Sequence, residues 1–291
     1  MMSEQGIEKN IRLSKYPNLK FGFTTANFAK FLPPIAINIK LMIDFANKEG
    51  FSFIELRDPT ADLNLSECAD LAIYARQKKV EVIYAVNVGA MDPTYFDVLS
   101  RAIGNSLAFD GPKMIRTGAN GPEFVNEAKK LYWTEDDFRK LVQNLNDAGD
   151  IAEKFGLKLS VENAREGLQG DGVQTFGTAE LFGRQGVDAN VGWQLDTANF
   201  FTVSRVDNDP NAVKEFFEQH VDKIDYTHLK SSQNGQPQPV IGQSDLPLNR
   251  YLDLLNKNNK VYVALELPAL DTLEIIYSNH CKSIAYLNHS L

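Results

Sequence analysis

The sequence predicts an α/β fold, a single (β/α)8 TIM barrel over residues 1–291 with residues 1–18 as an N-terminal extension. Three observations predict it. Short β-rich runs recur every few tens of residues, amphipathic segments alternate with them, and no linker rich in Pro, Gly or Ser interrupts the series. An open doubly wound sheet is the alternative. It is disfavoured because neither GxGxxG nor GxxxxGK[ST] follows any of the runs.

The strand candidates are 19–27, 51–58, 80–87, 113–120, 157–163, 191–199, 224–231 and 261–268. The clearest helical stripe runs over 135–155, where Phe138, Leu141, Val142, Leu145, Ala148, Ile151, Ala152 and Phe155 recur at three- and four-residue spacing. Thr134 with Asp137 resembles a capping box at its start. Cys68, Leu71, Ala72 and Ala75 form a second stripe, and Val213, Phe216, Phe217 and His220 a third. The longest irregular stretch, 231–247, follows the seventh strand and is expected on the active face of the barrel.

Composition narrows the function classes. The chain has 30 basic and 38 acidic residues and a net charge of -8, which repels phosphate backbones and anionic membrane surfaces, so neither nucleic acid nor membrane is an expected partner. Cys68 and Cys281 form no CxxC pair, which leaves no thiolate metal site and fits a reducing compartment. The polar start MMSEQGIEKN lacks a secretory pattern, and a cytoplasmic location is expected.

In such a barrel the chemistry lies at the C-terminal strand ends. The last four runs each present one chemically active side chain there: Glu162, Asp196, His228 and Glu266. Alternation along the last strand gives Val261, Val263, Leu265 and Leu267 to the helix layer and turns Tyr262, Ala264 and Glu266 inward. The same parity groups Tyr226, His228 and Lys230, Gln194 with Asp196, and Ser160 with Glu162. Carboxylates gathered in a poorly solvated mouth need a compensating charge. An oxygen-rich set with one imidazole suits Mn2+ or Mg2+, with Zn2+ and Co2+ as alternatives. The competing reading pairs the carboxylates with Lys230, Arg57 or Arg116 in rim salt bridges and leaves His228 as a core residue. That reading is the better one for any of the four taken alone, whereas four such residues at the ends of four consecutive strands favour the metal. Lys230, Arg57, Arg116, Glu55 and Asn87 also end strands and are candidates for binding substrate oxygens.

The segments GFSFIELRD (50–58), VEN, LDTAN, THLK and IGQSDLPLNRYLDLL resemble the sugar phosphate isomerase/epimerase superfamily of xylose isomerase-like barrels, whose members include ketose 3-epimerases, inosose dehydratases and endonuclease IV. The resemblance spans nearly the whole chain. It implies that Glu162, Asp196, His228 and Glu266 hold a divalent metal and that Glu162 and Glu266 are the catalytic pair that moves a proton next to a carbonyl through an enediolate. The implied substrate is a small carbohydrate or polyol, and the implied assembly a homo-oligomer. The chain departs from ketose epimerases where they carry His and Arg, having Asn199 and Asn234 instead, and it has Leu168 and Ser231 where carboxylates are frequent. Asn199 joins the substrate-binding candidates on that ground. The expected function is a metal-dependent sugar isomerase or epimerase. The alternatives are an inosose-type dehydratase on the same metal site and a non-catalytic sugar-binding barrel.

Overall fold

Parallel strands with apolar residues on both faces must be covered on both sides, and closing the sheet on itself meets that demand without leaving an edge. The computed structural model describes residues 15–118, 135–163, 187–199, 218–234, 236–270 and 272–289. Its strands are β1 (Lys20–Thr24), β2 (Phe53–Arg57), β3 (Glu81–Gly89), β4 (Met114–Gly118), β5 (Lys158–Glu162), β6 (Val191–Asp196), β7 (Ile224–Leu229), the short β8 (Ser232–Gln233) and β9 (Gln236–Pro237), and β10 (Tyr262–Leu265). All but β8 and β9 close into a parallel barrel in the order β1-β10-β7-β6-β5-β4-β3-β2. The described helices are α1 (Ala36–Glu49), α2 (Leu65–Gln77), α3 (Tyr95–Ser106), α4 (Glu135–Glu153), α5 (Leu248–Lys257) and α6 (Leu273–His289). None of them is long and apolar enough to cross a membrane.

The two-residue period of each strand divides the apolar side chains into two compartments. Phe21, Phe23, Ile54, Leu56, Val82, Trp193, Leu195, Val263 and Leu265 belong to the large core beneath the helices. Phe53, Ile83, Tyr226 and Ala264 form a separate small cluster within the barrel. Gly22 pairs with Phe53, and a Cβ on Gly22 would lie 2.5 Å from the Phe53 carbonyl oxygen and 2.6 Å from its ring, so the missing side chain makes room for that aromatic plug. Nearer the N-terminal end the inward residues are polar. Lys20 meets Glu81 at 2.6 Å, Tyr262 donates to the same carboxylate at 3.0 Å, and Lys158 meets Asp225 at 2.7 Å. The lower barrel is thus closed by ion pairs and aromatic rings, which leaves the C-terminal mouth as the place for chemistry.

Local signals explain the element ends. Asn64 and Glu67 close a reciprocal capping box on α2, and Gly50 ends α1 at φ 84, a conformation that glycine adopts without steric cost. Three expectations need correction. The run 19–27 stops as a strand at Thr24 and turns into a 3-10 segment, Thr25–Phe28, because the Thr24 hydroxyl accepts from the Ala26 N–H. Phe155 lies beyond the end of α4 and is 53% exposed, so the stripe closes at Ala152. The stretch 231–247 is not irregular throughout: β8 and β9 pair in antiparallel fashion, Asp245 N–H bonds Ser232 O, and Ile241 N–H bonds Ser283 Oγ. Residues 1–14, 119–120, Thr134, Val213, Phe216 and Phe217 lie outside the described residues.

His280 ties α6 to the sheet. Its Nδ1–H donates to Ile276 O at 2.8 Å, so its Nε2 accepts from Asn27 Nδ2 at 3.0 Å, the pattern of a neutral ring. Phe23, Phe28, Phe45 and Phe51 surround it. Burial lowers its pKa from 6.5 to about 4. A histidine depressed in the folded state contributes stability that is complete above its unfolded pKa and is lost as pH falls toward the folded value. Between pH 6.5 and 4 the chain is therefore expected to lose up to about 3 kcal/mol through this ring. Urea unfolding followed against pH should show a shallower slope in His280→Gln than in the parent.

Candidate metal and substrate site

Inward parity places the active side chains together at the mouth. Glu162, Asp196, His228 and Glu266 each offer one ligand atom, and these atoms lie within 4.8 Å of one another. Asp196 and His228 are register partners on neighbouring strands, and Glu266 N–H continues the ladder to Leu229 O just past β10. His228 is fully buried. Its Nε2 lies 2.8 Å from Glu55 Oε2, while its Nδ1 faces both Glu162 Oε1 at 3.0 Å and Glu266 Oε2 at 2.5 Å. One ring nitrogen carries at most one proton and cannot satisfy two carboxylates. Glu266 Oε2 is buried and accepts no well-directed hydrogen bond among the described residues, the crowded His228 Nδ1 being its close polar neighbour. A cation at that point would answer both oxygens and the imidazole lone pair, so the donor set fits a divalent ion.

The neighbouring charges decide which groups stay ionised. Burial pushes Glu266 up, but Lys230 and His228 outweigh it and hold the carboxyl well below its ordinary value. For Asp196 burial wins over Lys230, and its pKa is raised. Burial lowers the His228 pKa, and the Glu55 and Glu266 carboxylates more than reverse it. Burial also raises Glu55, yet His228 and then Arg57 pull it far down. Arg116 drops to about 9, first through burial and then through the charge of Arg57.

The structure brings every sequence-predicted site residue to this one region and assigns them different surroundings. Lys230 Nζ reaches Glu266 Oε1 at 3.0 Å and Asp196 Oδ2 at 3.4 Å. Arg116 pairs with Glu162, and Arg57 with Glu55 at 2.8 Å. Rim salt bridges and a shared ligand cluster therefore coexist. One substrate-binding expectation is corrected in this conformation. Glu55 is 0% exposed because Thr24 Oγ1, Arg57 and His228 occupy its oxygens, so it supports His228 instead of facing the mouth. Asn199 lies beside Lys230, its Oδ1 3.5 Å from Lys230 Nζ, and donates to Asn163 O at 2.9 Å. Arg57, Arg116, Asn87, Lys230 and Asn199 remain at the mouth.

Sequence reasoning missed a further set of side chains that extend the barrel ladder after its backbone pairing ends. Asn163 Oδ1 accepts the Asp196 N–H at 2.7 Å, and its Nδ2 donates to Asp196 O at 3.1 Å. The same Oδ1 takes the Trp193 indole N–H at 3.0 Å. Thr197 Oγ1 accepts the Lys230 N–H at 3.0 Å and donates to Lys230 O at 2.8 Å. Asn27 Nδ2 donates to Leu265 O and Asn27 Oδ1 accepts from Leu267 N–H, gripping the backbone on both sides of Glu266. Each such residue directly follows a strand or sits in the turn after it, and each fixes backbone at or just past the end of a neighbouring strand. The available signal was a short amide or hydroxyl residue immediately after a strand-end acid, as in VEN and LDT.

A family model, the xylose isomerase-like TIM barrel, matches residues 43–280. No curated protein matches the chain in sequence. Among solved structures, the probable 3-DHS dehydratase AsbF of Bacillus anthracis superposes with a TM-score of 0.68 at 13% identity, covering 94% of this chain and 100% of its own. D-Psicose 3-epimerase of Clostridium cellulolyticum H10, solved with D-tagatose, gives 0.64 at 17% identity, covering 91% and 90%. A xylose isomerase-like TIM barrel protein of Mycobacterium smegmatis, in complex with magnesium, gives 0.64 at 16% identity, covering 94% and 98%. At these identities the likeness is one of fold.

Removing the Asn163 side chain takes away the oxygen that accepts both the buried Asp196 N–H and the Trp193 indole N–H. Asn163→Ala should cost about 1–3 kcal/mol in urea unfolding.

Proposed function

The chain belongs to the xylose isomerase-like TIM barrels, and from that membership we propose that it is a divalent-metal-dependent isomerase or epimerase of a small polyhydroxy carbonyl compound. The observation that carries this reading is the convergence of Glu162, Asp196, His228 and Glu266 on one point, where two carboxylates crowd the single Nδ1 of His228. The magnesium in one neighbour and the epimerase and dehydratase names of others support it. A bound cation would supply Lewis acidity, lowering the pKa of the C–H between a carbonyl and its neighbouring hydroxyl.

The chain's own groups then have separable tasks. Glu266 is held ionised beside Lys230 and His228 and is the base that takes the proton. Glu162, three strands round the barrel from β10 and gripped by Arg116, is the second carboxylate and returns the proton at the other carbon or the other face. Lys230 places an ammonium 3.0 Å from Glu266, where it stabilises negative charge on a substrate oxygen. Glu55 donates no proton to the reaction. It accepts the His228 Nε2–H and so presents Nδ1 to the mouth. The same first step serves a dehydratase if Lys230 instead protonates a departing hydroxyl, and the ammonium beside the base is the feature that keeps this second reading open.

Incubation of the metal-loaded protein with ketoses, aldoses and inososes in deuterated water tests the assignment. Deuterium should enter next to the carbonyl without loss of water, and Glu162→Gln and Glu266→Gln should each slow the exchange by about 10²-fold or more. An unsaturated or deoxy product selects the lyase reading. Exchange that survives both substitutions at full rate contradicts the carboxylate roles.

A further inference from the structure

Two guanidiniums converge on one neutral oxygen at the rim. Arg57 Nη1 and Arg116 Nη1 donate to Asn87 Oδ1 from 2.8 and 2.9 Å. The register explains the meeting: Arg57 on β2 and Arg116 on β4 both pair with Ala85 of β3, whose small side chain leaves room for the two long ones. Asn87 is the next inward residue of β3 and lies over both. The arginine side chains are 12% and 6% exposed, whereas Asn87 is exposed.

Each arginine has its own carboxylate lower in the mouth, Glu55 for Arg57 and Glu162 for Arg116. Their outer N–H groups nevertheless point at a single position, and what stands there is an amide dipole. Guanidinium N–H groups from two arginines that converge on one oxygen are charge-assisted donors, and an anionic oxygen answers them better than a neutral amide oxygen does. An exposed side chain is also the one element of this arrangement that can swing away without disturbing buried packing.

We propose that Arg57 and Arg116 form a subsite for an anionic oxygen group of the substrate, with the Asn87 amide oxygen holding the position until that group displaces it. The inference rests on the isomerase reading for its substrate and narrows the class from neutral sugars to sugar acids or sugar phosphates. The subsite adjoins the ligand cluster through the Arg116–Glu162 pair on one side and the Arg57–Glu55–His228 chain on the other.

The test measures binding in place of turnover, by titration calorimetry on chelator-treated protein, so that no cation attracts the anion. D-Fructose, D-fructuronate and D-fructose 6-phosphate are compared on the parent chain, Asn87→Ala and Asn87→Asp, each verified as folded by thermal melting. At least one anion should bind tenfold or more tightly than D-fructose, and whichever does so identifies carboxylate or phosphate as the recognised group. Asn87→Ala should keep or increase that preference. Asn87→Asp, which lays a built-in carboxylate across both guanidiniums, should abolish it. If neither anion binds better than D-fructose, or if Asn87→Asp leaves the preference in place, the subsite is overturned. The deuterium-exchange test of the isomerase reading is unaffected by either result.

Discussion

Every buried charge at the mouth of this barrel must meet an opposite one, and that requirement organises the upper half of the molecule. Glu55, Glu162, Asp196 and Glu266 share the space with Arg57, Arg116, Lys230 and His228. The carboxylates outnumber the permanent cations by one, and the excess falls where Glu162 and Glu266 both crowd His228 Nδ1. Left uncompensated, such an excess in a low-dielectric site costs several kcal/mol. Its position on the imidazole is what makes the cluster a donor set that could hold a metal ion as well as a network of salt bridges.

The fold meets the requirement through parity and depth. Alternation sends one residue in two into the barrel, and those residues run from a polar floor around Lys20, Glu81 and Lys158, through the Phe53 and Tyr226 plug, to the ionic mouth. The aromatic plug separates the two charged levels and keeps the lower ion pairs from competing for the upper carboxylates. At the rim the backbone ladder ends, and side chains continue it. Asn163, Thr197 and Asn27 each hold an N–H and a carbonyl at or just past the end of a neighbouring strand, so the ligand-bearing residues are fixed by their neighbours' side chains when no further β pairing is available. Such preorganisation matters because a displacement of about 1 Å at a reacting group can cost 10²-fold in rate.

Much of this was legible in the residues. The strand runs, their inward parity and the Glu162, Asp196, His228 and Glu266 set follow from a two-residue period and from the recurrence of acids at strand ends. Partner choice was not legible. Whether Glu55 faces a substrate or His228 depends on the reach of two side chains across strands that are distant in sequence, and periodicity carries no such information. The clamp residues were invisible for a related reason: Asn and Thr after a strand read as turn formers, and only the register shows that they complete another strand's hydrogen bonding. Phe155 was misjudged because a helical stripe does not announce where its helix stops.

The central claim is that the four convergent side chains hold a divalent cation, and the most direct measurement is calorimetric titration of chelator-treated protein with Mn2+, repeated with Mg2+, Co2+ and Zn2+. A single ion should bind per chain. Asp196→Asn keeps an oxygen to accept the Ala198 and Asn199 N–H bonds and replaces the Oδ2 acceptor that faces Lys230 with an amide NH2, so it should weaken binding by about tenfold or more in protein verified as folded by its melting transition. Absence of binding by all four ions, or equal binding by Asp196→Asn, would contradict the account and return the carboxylates to the role of rim salt bridges.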